Sequence, residues 1–177
     1  INAKPFNFSA HYVRFSFACK VLKLKNNQRE SSLLLLLNKL IKKNKIVNGV
    51  AKIHVNRSGE GKYLPLSDSL DLLISVNKGS GFVKNTPISL CVFSDEKKTK
   101  GKISNIKSVN ALVSVLGAIH AKENGFDNAI LRNTDSNFIE TTNSNLFIIK
   151  QAVIYTPPLS EGCLDGTMRK WVLEQVN

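Results

Sequence analysis

The stretch Leu159–Glu174, LSEGCLDGTMRKWVLE, passes from turn residues into an amphipathic helix at Gly166-Thr167-Met168. A helix that starts behind a glycine leaves its first backbone N–H groups without intrahelical partners and its positive dipole end open. Such a corner binds anions, and phosphate is the usual one. The same residues also fit a simpler arrangement, in which Asp165 caps the helix and Gly166 makes the turn. The residues upstream decide between the two.

Working back from this corner, Asn145–Ile149 and Ala152–Thr156 are predicted to pair as a hairpin around Lys150-Gln151, followed by Pro157-Pro158. Asn128–Leu131 and Phe138-Ile139 read as strands separated by the turn Asn133–Asn137. Asn105–Asn124 carries a stripe of Ile106, Val109, Leu112, Val113, Leu116 and Ile119, which predicts a long helix ended by Asn124-Gly125. Further upstream, Ile88–Phe93, Leu70–Val76 and Val50–Val55 read as strands, Asn56–Gly61 as a turn, and Ser31–Lys45 and Ala10–Leu24 as helices. This order predicts an α/β (α+β) chain with a small domain over 1–94, a charged linker over 95–102 and a second domain over 103–177.

The apolar content of 42% is enough for a folded core. The longest apolar run, Leu33–Leu37, falls far short of the ~20 residues of a membrane helix. Ile1-Asn-Ala-Lys-Pro5 lacks the apolar block of a leader, and a first residue other than Met fits a piece of a longer product. Cys19, Cys91 and Cys163 are far apart in sequence and suggest free thiols in a reducing cytoplasm. His11, His54 and His120 have no metal-ligand spacing, so no metal site is expected. The formal charge of +12 gathers in Lys39–Lys45 and Lys97–Lys102. No aromatic is interleaved there, which argues against a nucleic-acid surface and leaves attraction of a small anion.

Two residues stand out. Lys107 falls in the first turn of the predicted Asn105–Asn124 helix, where a cation is disfavoured. Desolvation there would lower its pKa toward that of the amine that attacks an aldehyde. Glu140 ends the strand-like run Phe138-Ile-Glu, where it can face a protonated ring nitrogen or simply cap a loop. An amine for an aldehyde, a carboxylate for a pyridinium and a helix start for a phosphate are the three grips that pyridoxal 5′-phosphate requires.

In that order, Ile106-Lys-Ser-Val-Asn-Ala-Leu112, Ile139-Glu-Thr-Thr-Asn-Ser-Asn-Leu-Phe147, and Tyr155-Thr-Pro-Pro-Leu159 through Gly166-Thr-Met-Arg169 resemble the class IV aminotransferase family, the fold type IV pyridoxal phosphate enzymes. The resemblance runs from about Ala10 to the end of the chain. It implies that Lys107 is the Schiff-base lysine, that Glu140 is the partner of the pyridine nitrogen, and that Thr167 and Met168 are the phosphate cradle. His11-Tyr-Val-Arg14 is similar to the family's H-x-x-R element, which implies that Arg14 also reaches the phosphate. The implied fold has a small N-terminal α/β domain and a larger C-terminal domain with a barrel-like sheet, and the implied assembly is a homodimer. Members normally begin with a strand bearing Y-G and F-E residues and end with a further block of strands and helices. Neither is present, so the resemblance implies a chain truncated at both ends.

Three subgroups compete. The branched-chain aminotransferases place a tyrosine where Ala111 follows Asn110, and the D-amino-acid aminotransferases carry an R-x-H pair that the segment Arg57–Tyr63 lacks. The aminodeoxychorismate lyases share the K-x-x-N spacing of Lys107 to Asn110 and the G-x-M-R of Gly166 to Arg169. This resemblance implies conversion of 4-amino-4-deoxychorismate to 4-aminobenzoate and pyruvate, with Arg57 as a partner for a substrate carboxylate. An amino-acid transaminase is the alternative, and an inactive family member acting as a binding partner is a third. Cys163 reads as a packing residue.

Overall fold

The computed structural model describes residues 1–80 and 86–176. They fall into two compact units, Ile1–Asn85 and Thr86–Asn177.

In the first unit, helix α1 (Phe8–Val21) and helix α2 (Glu30–Lys43) precede strands β1 (Gly49–Arg57) and β2 (Leu70–Lys78). α2 buries Leu33, Leu37 and Ile41, one residue per helical turn on a single face. Glu30 in its first turn and Lys42 and Lys43 in its last match the helix dipole. β1 and β2 pair antiparallel throughout, from Gly49 opposite Lys78 to Arg57 opposite Leu70. Gly49 is required by close approach, because a Cβ there would lie 2.1 Å from the carbonyl oxygen of Asn77.

The second unit is built on a β-α-β crossover. Strand β3 (Leu90–Lys98) runs parallel to β4 (Asn128–Asn133), with helix α3 (Leu112–Glu123) between them in sequence, and β5 (Phe138–Thr141) pairs antiparallel with β4. The sheet order is β3-β4-β5. Phe93, Ala121, Ala129 and Leu131 form its core, with Cys91 and Val113 packed against them. A hairpin of β6 (Ile148–Lys150) and β7 (Val153–Tyr155) follows, then a short 3-10 turn at Leu159–Glu161 and helix α4 (Thr167–Val176). Of the barrel-like sheet that the resemblance implies, these residues show three strands.

Four expectations change. The segment expected as a linker over 95–102 is, over 95–98, the end of β3, and the division between compact units falls at 85/86 instead of 94. Pairing of the basic strand end with β4 explains this, since Lys98 lies opposite Asn133. The predicted helix Asn105–Asn124 begins only at Leu112. Asn105 is held elsewhere, its side-chain amide donating to the carbonyls of Leu159 (2.9 Å) and Cys163 (2.7 Å). The Ser108 hydroxyl accepts the Asn110 N–H, a local bond that competes with helix.

The packed face of α3 also differs from the predicted stripe. Val109, Leu112, Leu116 and Ile119 are exposed, whereas Gly117 and Ala121 are buried and Val113 packs on the core. Small residues let the helix approach the sheet, and a Cβ on Gly117 would lie 2.9 Å from Leu131 Cδ2. Finally, the hairpin turn is Gln151-Ala152, both at positive φ (50° and 62°), as a two-residue type I′ connection requires. The helix end at Asn124-Gly125 forms as expected: Gly125 has φ 75°, and the Phe126 N–H closes on the Ala121 carbonyl at 2.9 Å.

Candidate active site

β5 places Glu140 in the interior beside the fully buried Ile139, and Glu140 is itself 5% exposed. A carboxylate so buried is stable only when paired. The backbone N–H of Leu164 donates to its Oε2 at 2.7 Å, and the Lys98 ammonium pairs with its Oε1. Lys98 reaches this position from the end of β3, where the register with β4 shifts between Phe93 and Lys98. A local break in register re-aims the side chains that follow it.

The loop that supplies Leu164 is clamped from several sides. Besides the two Asn105 bonds, the Asp165 N–H donates to the Asn105 carbonyl at 3.1 Å, and Asn145 Nδ2 donates to the Leu164 carbonyl at 2.8 Å. Fully buried Asn133 donates through Nδ2 to the Glu161 carbonyl (3.1 Å) and to Glu161 Oε2 (2.6 Å). Asn137 and Lys100 also bond the Glu161 carboxylate. These partners, Asn137 first, then Asn133 and Lys100, hold the Glu161 carboxyl below its ordinary pKa. Three lysines of the cluster 97–102 are engaged: Lys97 bonds Ser136, Lys98 pairs with Glu140, and Lys100 pairs with Asp135 and Glu161.

Lys107 lies in the turn segment before α3 and is exposed. It lies five residues before the first residue of α3, outside the first turn in which the sequence places it. Among the described residues its side chain has no hydrogen-bond or ion-pair partner. Lys107 and Glu140 nevertheless line one cleft of about 330 Å³, together with Lys98, Ser108, Asn110 and Asn145.

α4 begins at Thr167 as predicted. Among the described residues, no acceptor is bonded to the N–H groups of Thr167, Met168 or Arg169. Asp165, the alternative cap, turns its carboxylate to Lys170 at 2.8 Å. Thr167 is buried and Met168 half-exposed, and neither lines the cleft; the corner adjoins it through Asn145, since a Cβ on Gly166 would lie 2.0 Å from Asn145 Oδ1.

Arg14 and Arg57 belong to the first unit. Arg14 lies on α1, its Nη2 3.4 Å from His11 Nδ1; burial, and then the Arg14 charge, lower the His11 pKa. Arg57, expected at a substrate carboxylate, instead donates to the carbonyls of Leu22, Lys23 and Ser67, closing the end of α1 onto the hairpin. Cys163 is buried, and burial raises its pKa, as suits a packing residue. Among the described residues no cluster of three metal-ligating side chains forms, and no helix is long and apolar enough to cross a membrane.

Sequence reading missed Lys98, Asn133, Asn145 and Glu161. A buried Glu140 demands a cation, which is the one signal that points to a lysine elsewhere in the chain; the asparagines carry none.

Comparison with known proteins follows the same lines. The family model described as amino-transferase class IV matches residues 1–177. An aminodeoxychorismate lyase of Bacillus subtilis is 30% identical over 190 residues, covering 96% of this chain and 59% of that protein. A D-alanine aminotransferase of Staphylococcus epidermidis is 26% identical over 178 residues, covering 98% and 63%. The chain thus spans less than two thirds of the length of these relatives. Among solved structures, a putative 4-amino-4-deoxychorismate lyase from Legionella pneumophila matches with a TM-score of 0.91 at 22% identity, over 98% of this chain and 65% of that one. A branched-chain amino acid aminotransferase from Thermobaculum terrenum in its PLP holo-form matches with a TM-score of 0.80 at 17% identity, over 96% and 57%. The chain has the fold of these structures.

Proposed function

Because the chain belongs to the amino-transferase class IV family, we propose that it binds pyridoxal 5′-phosphate in the cleft lined by Lys107 and Glu140 and acts on an amino substrate. The carrying observation is that these two side chains, far apart in sequence, share one cleft. The donor set fits the group: among the described residues, an amine without a hydrogen-bond or ion-pair partner, a buried carboxylate, and a helix start whose first N–H groups have no acceptor. The holo-form of the Thermobaculum terrenum relative supports the choice of cofactor.

When bound, the cofactor supplies an electron sink for the charge left on the substrate carbon that bears the amine. Lys107 is the amine that holds its aldehyde. The same Nζ removes the proton from that substrate carbon and returns it during turnover. Glu140 keeps the proton on the ring nitrogen, while the N–H groups of Thr167 and Met168 hold the phosphate. Arg57, with donors already engaged by three carbonyls, has no part in this scheme.

The reaction proposed is the lyase one, elimination from 4-amino-4-deoxychorismate to 4-aminobenzoate and pyruvate. The Bacillus subtilis relative supports it, as do the spacing of Lys107 to Asn110 and Gly166 to Arg169. Lys97 and Lys107 on the cleft lining suit an anionic substrate. Transamination is the second reading, favoured by the D-alanine aminotransferase match. Homodimer assembly and a cytoplasmic location belong to the same proposal.

Absorbance tests the site: the purified protein with cofactor should show a visible yellow band, and Lys107→Ala should be colourless. A yellow Lys107→Ala protein counts against the assignment. Product analysis separates the reactions, because release of pyruvate without a keto-acid acceptor supports the lyase and strict dependence on an acceptor removes it.

A further inference from the structure

Each oxygen of Glu140 already has a donor within this chain, Oε2 the Leu164 N–H at 2.7 Å and Oε1 the Lys98 ammonium. A ring nitrogen brought to this carboxylate, as the proposed function requires, competes with these two donors for it. The Leu164 donor is backbone, in a loop fixed by bonds from Asn105, Asn145 and Asn133. The Lys98 donor ends a flexible four-carbon stem on the cleft wall, and its side chain is 18% exposed. Lys98 is therefore the partner that can leave.

We propose that Lys98 is a resident counter-ion, holding Glu140 while the cofactor is absent and displaced from Oε1 when the ring nitrogen binds. The inference rests on the cleft being the cofactor site. Its physical basis is exchange. A buried carboxylate left with only one neutral donor is unstable, so the free chain needs a cation there. Loading then swaps one ion pair for another and gains less than it would from an unpaired carboxylate. Lys98 stabilises the empty protein and weakens its hold on the cofactor by the same interaction. The neighbouring lysines do not substitute for it, since Lys97 bonds Ser136 and Lys100 pairs with Asp135 and Glu161.

The test is a titration of pyridoxal 5′-phosphate into the 177-residue chain and its Lys98→Met and Lys98→Arg variants, followed by the visible band, with thermal melts of each before and after loading. Lys98→Met should bind about tenfold more tightly than the parent, melt lower when empty and gain more on loading. Lys98→Arg keeps a cation whose planar fork is harder to displace, and it should bind no more tightly than the parent. If Lys98→Met is unfolded when empty, its recovery on adding cofactor supports the inference, and failure to recover overturns it. A folded Lys98→Met that binds equally or more weakly overturns the inference and leaves the cleft assignment standing. Absence of a band in both the parent and Lys98→Met overturns both. A band that survives in Lys107→Ala and vanishes in Lys98→Met also overturns the inference, because Lys98 would then be the attached amine.

Discussion

The Leu164 N–H and the Glu140 carboxylate, 2.7 Å apart, tie the loop before the last helix to β5, the strand at one end of the sheet. This bond brings together two sequence signals separated by more than twenty residues, the carboxylate at the end of a strand and the open helix start after a glycine. One face of Glu140 thus fixes the loop and the other meets Lys98.

Removing the carboxylate should be costly for this reason. Glu140→Ala leaves the Lys98 ammonium and the Leu164 N–H without their partner, and the expected loss of stability is about 3–5 kcal/mol. Glu140→Gln keeps an acceptor for Leu164 and should lose about 1–3 kcal/mol. Adding Lys98→Met to Glu140→Ala should restore part of the loss, since the stranded cation goes with it. Urea denaturation of the four proteins checks this; equal stability of Glu140→Ala and the parent would show that the pair contributes nothing.

Acid should loosen the same loop through Glu161. Its folded-state pKa is lowered from an ordinary value of 4.5 by the amides of Asn137 and Asn133 and by Lys100. A lowered acid contributes stability that is fully present above the unfolded value and is lost as pH falls through the folded one. The stability difference between the parent and Glu161→Gln should therefore be largest above about pH 4.5 and shrink as the pH falls below it. A difference that stays constant across that range would mean that the ionised carboxylate is not what holds the loop.

Periodicity and punctuation made most elements legible. α2, β1, β2, β4 and the start of α4 follow from alternation, apolar spacing and the glycines that bound them. They failed where a long-range bond outweighed local preference. Ile106 and Val109 continue the apolar spacing of α3, but Asn105 is bonded to the 159–163 loop, so the helix begins at Leu112. Composition also misled at 95–102, because a lysine-rich segment looks solvated until its partners Glu140, Asp135 and Ser136 are known. Lys107 and Glu140 stand out by residue type and order, whereas Lys98 does not, since a counter-ion has no spacing rule relative to its carboxylate.

A side chain at Gly166 should destabilise the corner before α4. A Cβ there would sit 2.0 Å from Asn145 Oδ1 and displace an amide that donates to the Leu164 carbonyl at 2.8 Å. Gly166→Ala is expected to cost about 1–3 kcal/mol, and Asn145→Ala about 1 kcal/mol. The double variant should fall short of the sum by at least about 0.5 kcal/mol, because removing Asn145 also makes room for the methyl. Strict additivity in a denaturant cycle would separate the two positions and remove Asn145 as the link between corner and cleft.

Gly117 tests whether α3 packs through its small residues or through the exposed apolar stripe. Alanine is the better helix former by about 1 kcal/mol, so propensity alone predicts that Gly117→Ala stabilises. Packing predicts the opposite, since the new Cβ would lie 2.9 Å from Leu131 Cδ2, 3.3 Å from Thr142 Cγ2 and 3.4 Å from Phe93 Cδ1. Leu131 is fully buried and Phe93 3% exposed, so neither can yield without disturbing the sheet. Overpacking of this kind costs about 1–3 kcal/mol and should win by about 1 kcal/mol. For a unit of this size the melting temperature should fall by about 4–8 °C. By contrast, Leu116→Ala on the exposed stripe should change stability much less, because its side chain is 45% exposed. A Gly117→Ala protein that melts at or above the parent would mean that α3 stands further from the sheet than this packing requires.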